Sequence, residues 1–324
     1  MSPTSPVGPV APAPPGVLEA RMAELTGHRV PFVKATVVRA RRPAGARPGD
    51  TALVLADGRI EGFVGGVCAE ATVRVQALRT LRSGESLLLR ISPTETADGT
   101  GEPVVEDGAV SVSNPCLSGG ELEIFLEPLR PVPRVLVFGE SPVARAVLAF
   151  GPVLGYGITE ASGAESPDGA GAVVIASHGR DEEPVLLSAL RAGVPYIGLV
   201  ASPRRGAAVL AGLGLDEEQR ARVHTPAGLW IGARTPGEIA VSILAEVIGS
   251  VRSRSTETAP VTATDPVCGM EVAVLEAGTP YSDAGGGGRR WFCRTACREE
   301  YEKDPARYAR AQPRAQADPE AGAS

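Results

Sequence analysis

Five cysteines and the glycines beside them hold most of the chemistry this chain could perform. The stretch Gly62-Phe63-Val64-Gly65-Gly66-Val67-Cys68-Ala69-Glu70 reads as a strand passing through a glycine turn into a helix. Glycines let backbone N–H groups approach a ligand, and a helix N-terminus favours an anion such as phosphate. The same position favours the thiolate of Cys68. A tight turn around a small buried cysteine has the same sequence signature, so both readings stand. A second copy of the pattern, Asn114-Pro115-Cys116-Leu117-Ser118-Gly119-Gly120, precedes a strand. Two Cys/Gly-Gly turns in one domain could converge on one ligand. The remaining three cysteines lie near the C-terminus, in Asp265-Pro266-Val267-Cys268-Gly269-Met270 and in Trp291-Phe292-Cys293-Arg294-Thr295-Ala296-Cys297. Cys293 and Cys297 are four apart, the spacing that places two side chains on one helical face. Three sulfur ligands would suit Zn(II) or Cu(I), and so short a segment gains from such a staple. No histidine follows His224 to supply a fourth ligand, and free thiols in a small module remain the alternative.

The elements that must position these residues follow from pattern and turn chemistry. Residues 1–16 are rich in proline and are expected to be disordered, and a helix is expected over Val17 to Gly27. Lys34 to Arg39 reads as a strand, and Thr51 to Ala56 and Arg59 to Val64 form a hairpin about Asp57-Gly58. Cys68 to Leu81 reads as a helix, Ser86 to Ile91 as a strand, and Ser92 to Asn114 as loop. Glu121 to Glu127 alternates like a half-buried strand. Residues 17–130 therefore predict a mixed α+β domain.

After a proline-rich hinge, residues 131–250 alternate short apolar strands with helices, which predicts a Rossmann-like α/β domain with a parallel sheet. Its first turn, Gly139-Glu140-Ser141-Pro142-Val143-Ala144, has the position of a dinucleotide fingerprint but only the first of its glycines. His178, in Ser177-His178-Gly179-Arg180-Asp181, and Ser202 with Arg204, in Ala201-Ser202-Pro203-Arg204-Arg205, follow later strands. They stand at the sheet end where α/β proteins bind ligands, though a capping turn and solvated arginines would read alike. Thr235-Pro236-Gly237-Glu238 reads as a capping box opening a helix over Ile239 to Ile248. Residues 251–264 read as a linker, 265–309 as a compact cysteine-bearing module, and 310–324 as a disordered tail.

Composition narrows the classes. A formal charge of -6 lacks the basic footprint of a nucleic-acid binder. No apolar run approaches the ~20 residues of a membrane span, and no secretory h-region precedes Val17. An odd, unevenly spaced set of cysteines points to thiol or metal chemistry in a reducing cytoplasm.

Taken together, Gly66-Val67-Cys68-Ala69-Glu70, Cys116-Leu117-Ser118-Gly119-Gly120, His224-Thr225-Pro226-Ala227-Gly228-Leu229-Trp230-Ile231-Gly232 and Thr235-Pro236-Gly237-Glu238-Ile239-Ala240 resemble the XdhC/CoxI family over residues 17–250. These are accessory proteins of molybdenum hydroxylases such as xanthine and carbon monoxide dehydrogenases. The resemblance implies a maturation factor without turnover of its own. It would bind molybdenum cofactor (molybdopterin or its cytosine dinucleotide form), protect it during sulfuration and insert it into the apo-hydroxylase. It implies that apo-enzyme and a cysteine desulfurase as partners, with a homodimer possible. Carried over by position, Cys68 and Cys116 would face the cofactor, with Gly65 and Gly66 receiving its phosphate. Glu70, Gly119, Gly120, Gly139, Ser141, His178, Ser202 and Arg204 complete the expected cofactor-binding set. Two departures stand out: Ser141-Pro142 replaces the family's Gly-His, and its Asp-x-Arg is missing after the second strand of that domain. The tail resembles a YHS domain through Asp265 to Met270, Trp291-Phe292-Cys293, Cys297 and Asp304-Pro305-Ala306-Arg307-Tyr308, though without the histidine that helps name it. Cys268, Cys293 and Cys297 are its expected metal ligands, for Zn or Cu. Two other functions fit parts of the sequence: an NAD(P)-dependent oxidoreductase on the Rossmann-like domain, and a metal-binding or metal-sensing protein led by the tail.

Overall fold

The structure is a computed structural model that describes residues 16–93, 103–114, 120–163, 165–256, 260–276, 278–285 and 288–308. The chain forms two units, Met1–Pro131 with Ala259–Ser324, and Val132–Thr258.

The first unit begins with α1 (Val17–Gly27), β1 (Phe32–Arg41), β2 (Thr51–Leu55), β3 (Ile60–Gly62), α2 (Val67–Ser83), β4 (Leu87–Ser92), β5 (Val104–Glu106), β6 (Ala109–Ser113) and β7 (Glu121–Leu129). The strands make one sheet in the order β3-β2-β1-β7-β4-β6-β5, antiparallel apart from the β4–β6 pair. Side chains alternate across a strand, and here each face has its own cover. Val33, Ala35 and Val37 of β1, with Ala52 and Val54 of β2, meet Ala69, Val73 and Ala77 of α2. Phe32, Leu53 and Leu55 face the other way, onto Leu25 of α1. The hairpin about Asp57-Gly58 forms as the sequence predicts, with Arg59 N–H donating to Asp57 Oδ1 at 3.0 Å. The stretch expected to be loop after Ser92 instead holds β5 and β6, paired about Asp107-Gly108. That dipeptide is the same hairpin signal, set between short runs of valine.

The second unit contains β8 (Arg134–Phe138), α3 (Pro142–Ala149), α4 (Gly151–Leu154), β9 (Gly157–Ala161), β10 (Ala172–Ile175), α5 (Glu182–Arg191), β11 (Tyr196–Leu199), α6 (Pro203–Gly212), α7 (Glu217–Ala221), β12 (Val223–His224) and α8 (Pro236–Thr256). Its five strands are parallel, in the order β12-β11-β10-β8-β9. Helices cover both faces: α5 and α6 pack over Leu136, Val173 and Ile197, and α3 and α8 over Val135, Val174 and Tyr196. This is a Rossmann-like doubly wound domain. The capping box forms, with Thr235 N–H donating to Glu238 Oε2 at 2.9 Å and Glu238 N–H to Thr235 Oγ1 at 3.4 Å. The helix it opens runs on to Thr256, past the expected end at Ile248, since no proline or further glycine follows Gly249 before Pro260.

The chain then returns to the first unit through β13 (Thr262–Thr264), β14 (Glu271–Ala273), β15 (Tyr281–Ser282), β16 (Arg290–Trp291), α9 (Thr295–Lys303) and a 3-10 turn at Pro305–Tyr308. These form two two-stranded sheets, β13-β14 and β15-β16. So little chain cannot bury an adequate core by itself. It borrows one: Met270, Val272, Trp291, Phe292 and Tyr301 cluster with Cys68 and Ala71 of α2. Leu275 lies over the β2–β3 hairpin, where a Cβ on Gly58 would come within 2.2 Å of its Cδ1. Arg79 of α2 donates to both carboxylate oxygens of Glu271, at 3.0 and 2.6 Å. Helix α2 is therefore buried on two sides, by the sheet and by the C-terminal segment.

Candidate functional site

The densest chemistry lies where the C-terminal segment meets α2. Cys268 sits in a turn closed by Asp265 N–H donating to Met270 O and Gly269 N–H to Asp265 O, both at 2.8 Å, with Gly269 at φ 77. Cys293 leaves β16, Arg294 occupies the N-cap position of α9 without a side-chain cap, and Cys297 lies in the helix's first turn. The sequence spacing thus works through a strand–helix junction rather than through one helical face. Sγ of Cys293 lies 3.6 Å from that of Cys268 and 3.7 Å from that of Cys297. Asp265, fully buried, ties the two sulfur-bearing loops together. Its Oδ1 accepts from the N–H groups of Val267 (2.9 Å) and Cys268 (3.4 Å), and its Oδ2 from that of Cys293 (2.8 Å). One ligand atom each from Asp265, Cys268, Cys293 and Cys297 falls within 4.8 Å of all the others, so the cluster could hold a metal ion. Sequence reasoning named the three cysteines and missed Asp265, whose place in the Asp-Pro-x-Cys turn was the available signal.

The cluster's thiols differ in their electrostatics. Hydrogen bonding from Cys293 holds the Cys268 thiol below its ordinary range. Cys293 is pushed far upward by its contacts with Cys268 and Cys68 and by burial. Burial pushes Cys297 up to about 11, against the opposing hydrogen bond from Arg294.

At the start of α2, Gly66 is the N-cap and offers no side-chain cap to the helix amides. A Cβ on Gly66 would meet nothing within 4 Å, so the approach to those amides is open on that side. Gly65, at φ 142, is packed by contrast: its Cβ would lie 3.0 Å from Ala69 Cβ. Cys68, the second residue of the helix, is buried at 5% exposure among the C-terminal side chains. Glu70 is partly buried, and desolvation raises its carboxyl pKa in spite of the nearby Arg74. Gly120 lies so close to the neighbouring loop that a Cβ would come within 2.7 Å of Pro43 O. Cys116 and Gly119 lie outside the described residues.

In the second unit a crevice of about 370 Å³ opens past the ends of β8, β9 and β10, the switch point of the sheet. Of the predicted residues only Gly139 lines it, in company with Glu140, Ser177, Arg180 and Asp181. Gly139, at φ 105, supports the β10–α5 loop, where a Cβ would meet Ala176 O at 2.5 Å. Ser141 and Ser202 are helix N-caps, accepting from Ala144 N–H at 3.1 Å and Arg205 N–H at 3.4 Å. His178 is exposed at φ 56, and Arg204 is exposed on α6. Arg205 is committed to Glu182, its Nη1 donating to Oε2 at 2.6 Å. Beside the sheet, Glu246 gathers Tyr196 Oη (2.7 Å), His224 Nδ1 (2.8 Å) and Gly228 N–H (2.8 Å), which fixes the loop following β12. Among the described residues no helix is long and apolar enough to cross a membrane.

The Gly-Gly helix entry and the serine-capped first helix of the Rossmann-like domain each fall in a stretch that matches a known domain. Residues 26–92 match the XdhC and CoxI family, and residues 135–247 match the XdhC Rossmann domain. YqeB, an uncharacterized protein of Escherichia coli (strain K12), is 30% identical over 260 residues, which cover 70% of this chain and 44% of YqeB. The chain thus spans under half the length of that relative. The molybdenum cofactor insertion chaperone PaoD of the same organism is 27% identical over 264 residues, covering 67% of this chain and 81% of PaoD. A crystal structure of a xanthine dehydrogenase from Bacillus halodurans overlays with a TM-score of 0.36 at 17% identity, covering 74% of this chain and 97% of that one. Residues 262–308 lie outside both family matches.

Proposed function

We propose that this protein carries molybdenum cofactor, protects it during sulfuration and inserts it into a molybdenum hydroxylase of the xanthine or carbon monoxide dehydrogenase type. The observation that carries the reading is the similarity, across both units, to PaoD, a molybdenum cofactor insertion chaperone. The local chemistry is compatible with it. The uncapped amides at the start of α2 offer N–H donors and a positive helix pole to the cofactor's phosphate. Gly65 and Gly66 would receive that phosphate and Cys68 and Cys116 would face the cofactor, with Glu70, Gly119 and Gly120 completing the set carried over from the resemblance. When bound, the cofactor (molybdopterin or its cytosine dinucleotide form) supplies the dithiolene-held molybdenum that the client enzyme uses. In the second unit Gly139, Ser141, His178, Ser202 and Arg204 are the residues proposed to meet a nucleotide, of which Gly139 lines the crevice. The serine hydroxyls already serve as caps, so backbone amides and Arg204 would make those contacts. The partners on this reading are the apo-hydroxylase, a cysteine desulfurase and a second copy of the chain. The C-terminal segment is read as a YHS-type module that holds Zn or Cu.

The test is the fluorescence of oxidised pterin released from full-length protein co-expressed with the cofactor pathway. A near-stoichiometric signal supports the carrier, and no signal from folded protein overturns it. The crevice at the sheet switch point favours one second reading, an NAD(P)-dependent oxidoreductase. Heat on calorimetric titration with either dinucleotide would support that reading, and its absence would exclude it.

A further inference from the structure

Cys68 belongs to two arrangements at once. By sequence it opens α2 beside the Gly-Gly turn; in space its side chain hydrogen-bonds Cys293 of the C-terminal segment. Arg294 adjoins the same group, donating to Cys297 and lying within electrostatic reach of Cys68 and Cys293. Cys68 thus packs in one buried cluster with Cys268, Cys293 and Cys297, drawn from opposite ends of the chain.

The spacing of those sulfurs suits a metal. A tetrahedral ion with ~2.3 Å bonds to sulfur requires sulfur–sulfur edges of about 3.8 Å. The Cys268–Cys293 and Cys293–Cys297 edges are 3.6 and 3.7 Å. The fourth corner has two candidates: Asp265, whose oxygen lies within 4.8 Å of all three sulfurs, and Cys68, which adjoins Cys293. Both Asp265 oxygens already accept backbone N–H groups from the loops that carry Cys268 and Cys293. That is the work of a carboxylate that orients ligands. Cys68 brings a fourth sulfur of the same kind as the other three. Four thiolates around a dication leave a charge of -2. Three positive features offset it: the guanidinium of Arg294 and the N-terminal turns of α2 and α9, which carry Cys68 and Cys297.

We propose that Cys68, Cys268, Cys293 and Cys297 bind a single Zn²⁺ ion that clamps the C-terminal segment onto the first turn of α2. The ion joins two helix starts otherwise held together by apolar contacts and by the Arg79–Glu271 pair. One consequence rests on the cofactor reading: an occupied clamp withdraws Cys68 from any pterin ligand, so zinc and cofactor compete for this thiol.

Two experiments on the full-length, reduced, metal-free protein test the clamp, and neither requires bound pterin. In the first, Co²⁺ serves as a spectroscopic stand-in for Zn²⁺, because its thiolate charge-transfer intensity reports how many sulfurs it holds. The wild type should bind one ion with the intensity of about four thiolates, and Cys68→Ser with that of about three. Zn²⁺ affinity, read by chelator competition, should fall at least about tenfold in Cys68→Ser. Unchanged intensity and affinity in Cys68→Ser, with both reduced in Asp265→Asn, would assign the fourth corner to Asp265 and overturn the proposal. The second experiment needs no variant. One equivalent of Zn²⁺ should slow alkylation of Cys68, followed by mass spectrometry, in step with Cys268, Cys293 and Cys297, and a chelator should reverse this. Protection of the other three with Cys68 unaffected, or no binding of either metal, would also overturn it. Any of these failures leaves the pterin measurement to judge the carrier reading by itself.

Discussion

Replacing Arg205 by methionine tests how the second unit holds the loop at its crevice. Glu182, at 5% exposure, accepts from Gly179 N–H at 2.8 Å, Ser177 Oγ at 3.4 Å and Arg205 Nη1 at 2.6 Å. Arg205 also donates to Val200 O at 3.0 Å, which links α6 to the end of β11. Methionine keeps most of the aliphatic stem and removes the charge. Breaking a buried pair from one side costs about 3–5 kcal/mol, because the remaining charge is stranded. The Arg205 side chain is 37% exposed, and water reaching it lowers the expectation to about 2–3 kcal/mol. Removing both charges, with Glu182→Gln added, should restore most of that loss. Amide hydrogen exchange read on peptides covering residues 177–191 is the assay, since segment-level protection avoids treating a two-unit chain as two-state. Protection in Arg205→Met should drop by a factor of about 30–150, and the double variant should recover to within about tenfold of wild type. A single variant within about twofold of wild type, or a double variant as labile as the summed singles, would refute the reasoning.

Three further outcomes follow from other parts of the molecule. Because burial raises the Glu70 pKa, its charged form is a net cost to the fold, and that cost appears as pH rises from its ordinary value through its folded one. Glu70→Gln should therefore melt higher than wild type at pH 7, the gap closing toward pH 4; a constant gap in thermal scans would contradict this. Gly139→Ala would drive a Cβ to 2.5 Å from Ala176 O at a positive φ, and should cost about 3 kcal/mol or more, seen as lost exchange protection in β8 and β10. Arg79→Glu should speed proteolysis of the C-terminal segment about two- to fivefold, and Glu271→Arg added to it should restore the wild-type rate; both side chains are more than a third exposed, hence the modest size.

Local chemistry made much of this fold readable. The Asp57-Gly58 hairpin, the Thr235–Glu238 capping box and the alternating apolar strands after Pro133 all form as their residues predict. Asp107-Gly108 carried the same signal as Asp57-Gly58 but stood in a polar, glycine-rich stretch, where strands of only three and five residues did not register. The double burial of α2 was less accessible. Its sheet face, Ala69, Val73 and Ala77, follows the helical period; the small residues of its other face, Cys68 and Ala71, look neutral until a partner covers them. The meeting of Cys68 with Cys293 was beyond any local pattern, because contacts between distant segments leave no periodic trace in either one. Arg205 shows a different limit: a guanidinium at a helix start looks free for a ligand, yet Glu182, 23 residues away in sequence, engages it.

The burial of α2 by the far end of the chain also orders events at the ribosome. Cys68 and Ala71 are synthesised some two hundred residues before Trp291, Phe292 and Cys293, which cover them. At about 5–20 residues per second, that face of the helix stays bare for roughly 10–45 seconds in every new molecule. Throughout that interval the chain lacks the segment that hides its thiol. Anything that binds this face of α2 therefore has access to it on the emerging chain before Trp291, Phe292 and Cys293 cover it.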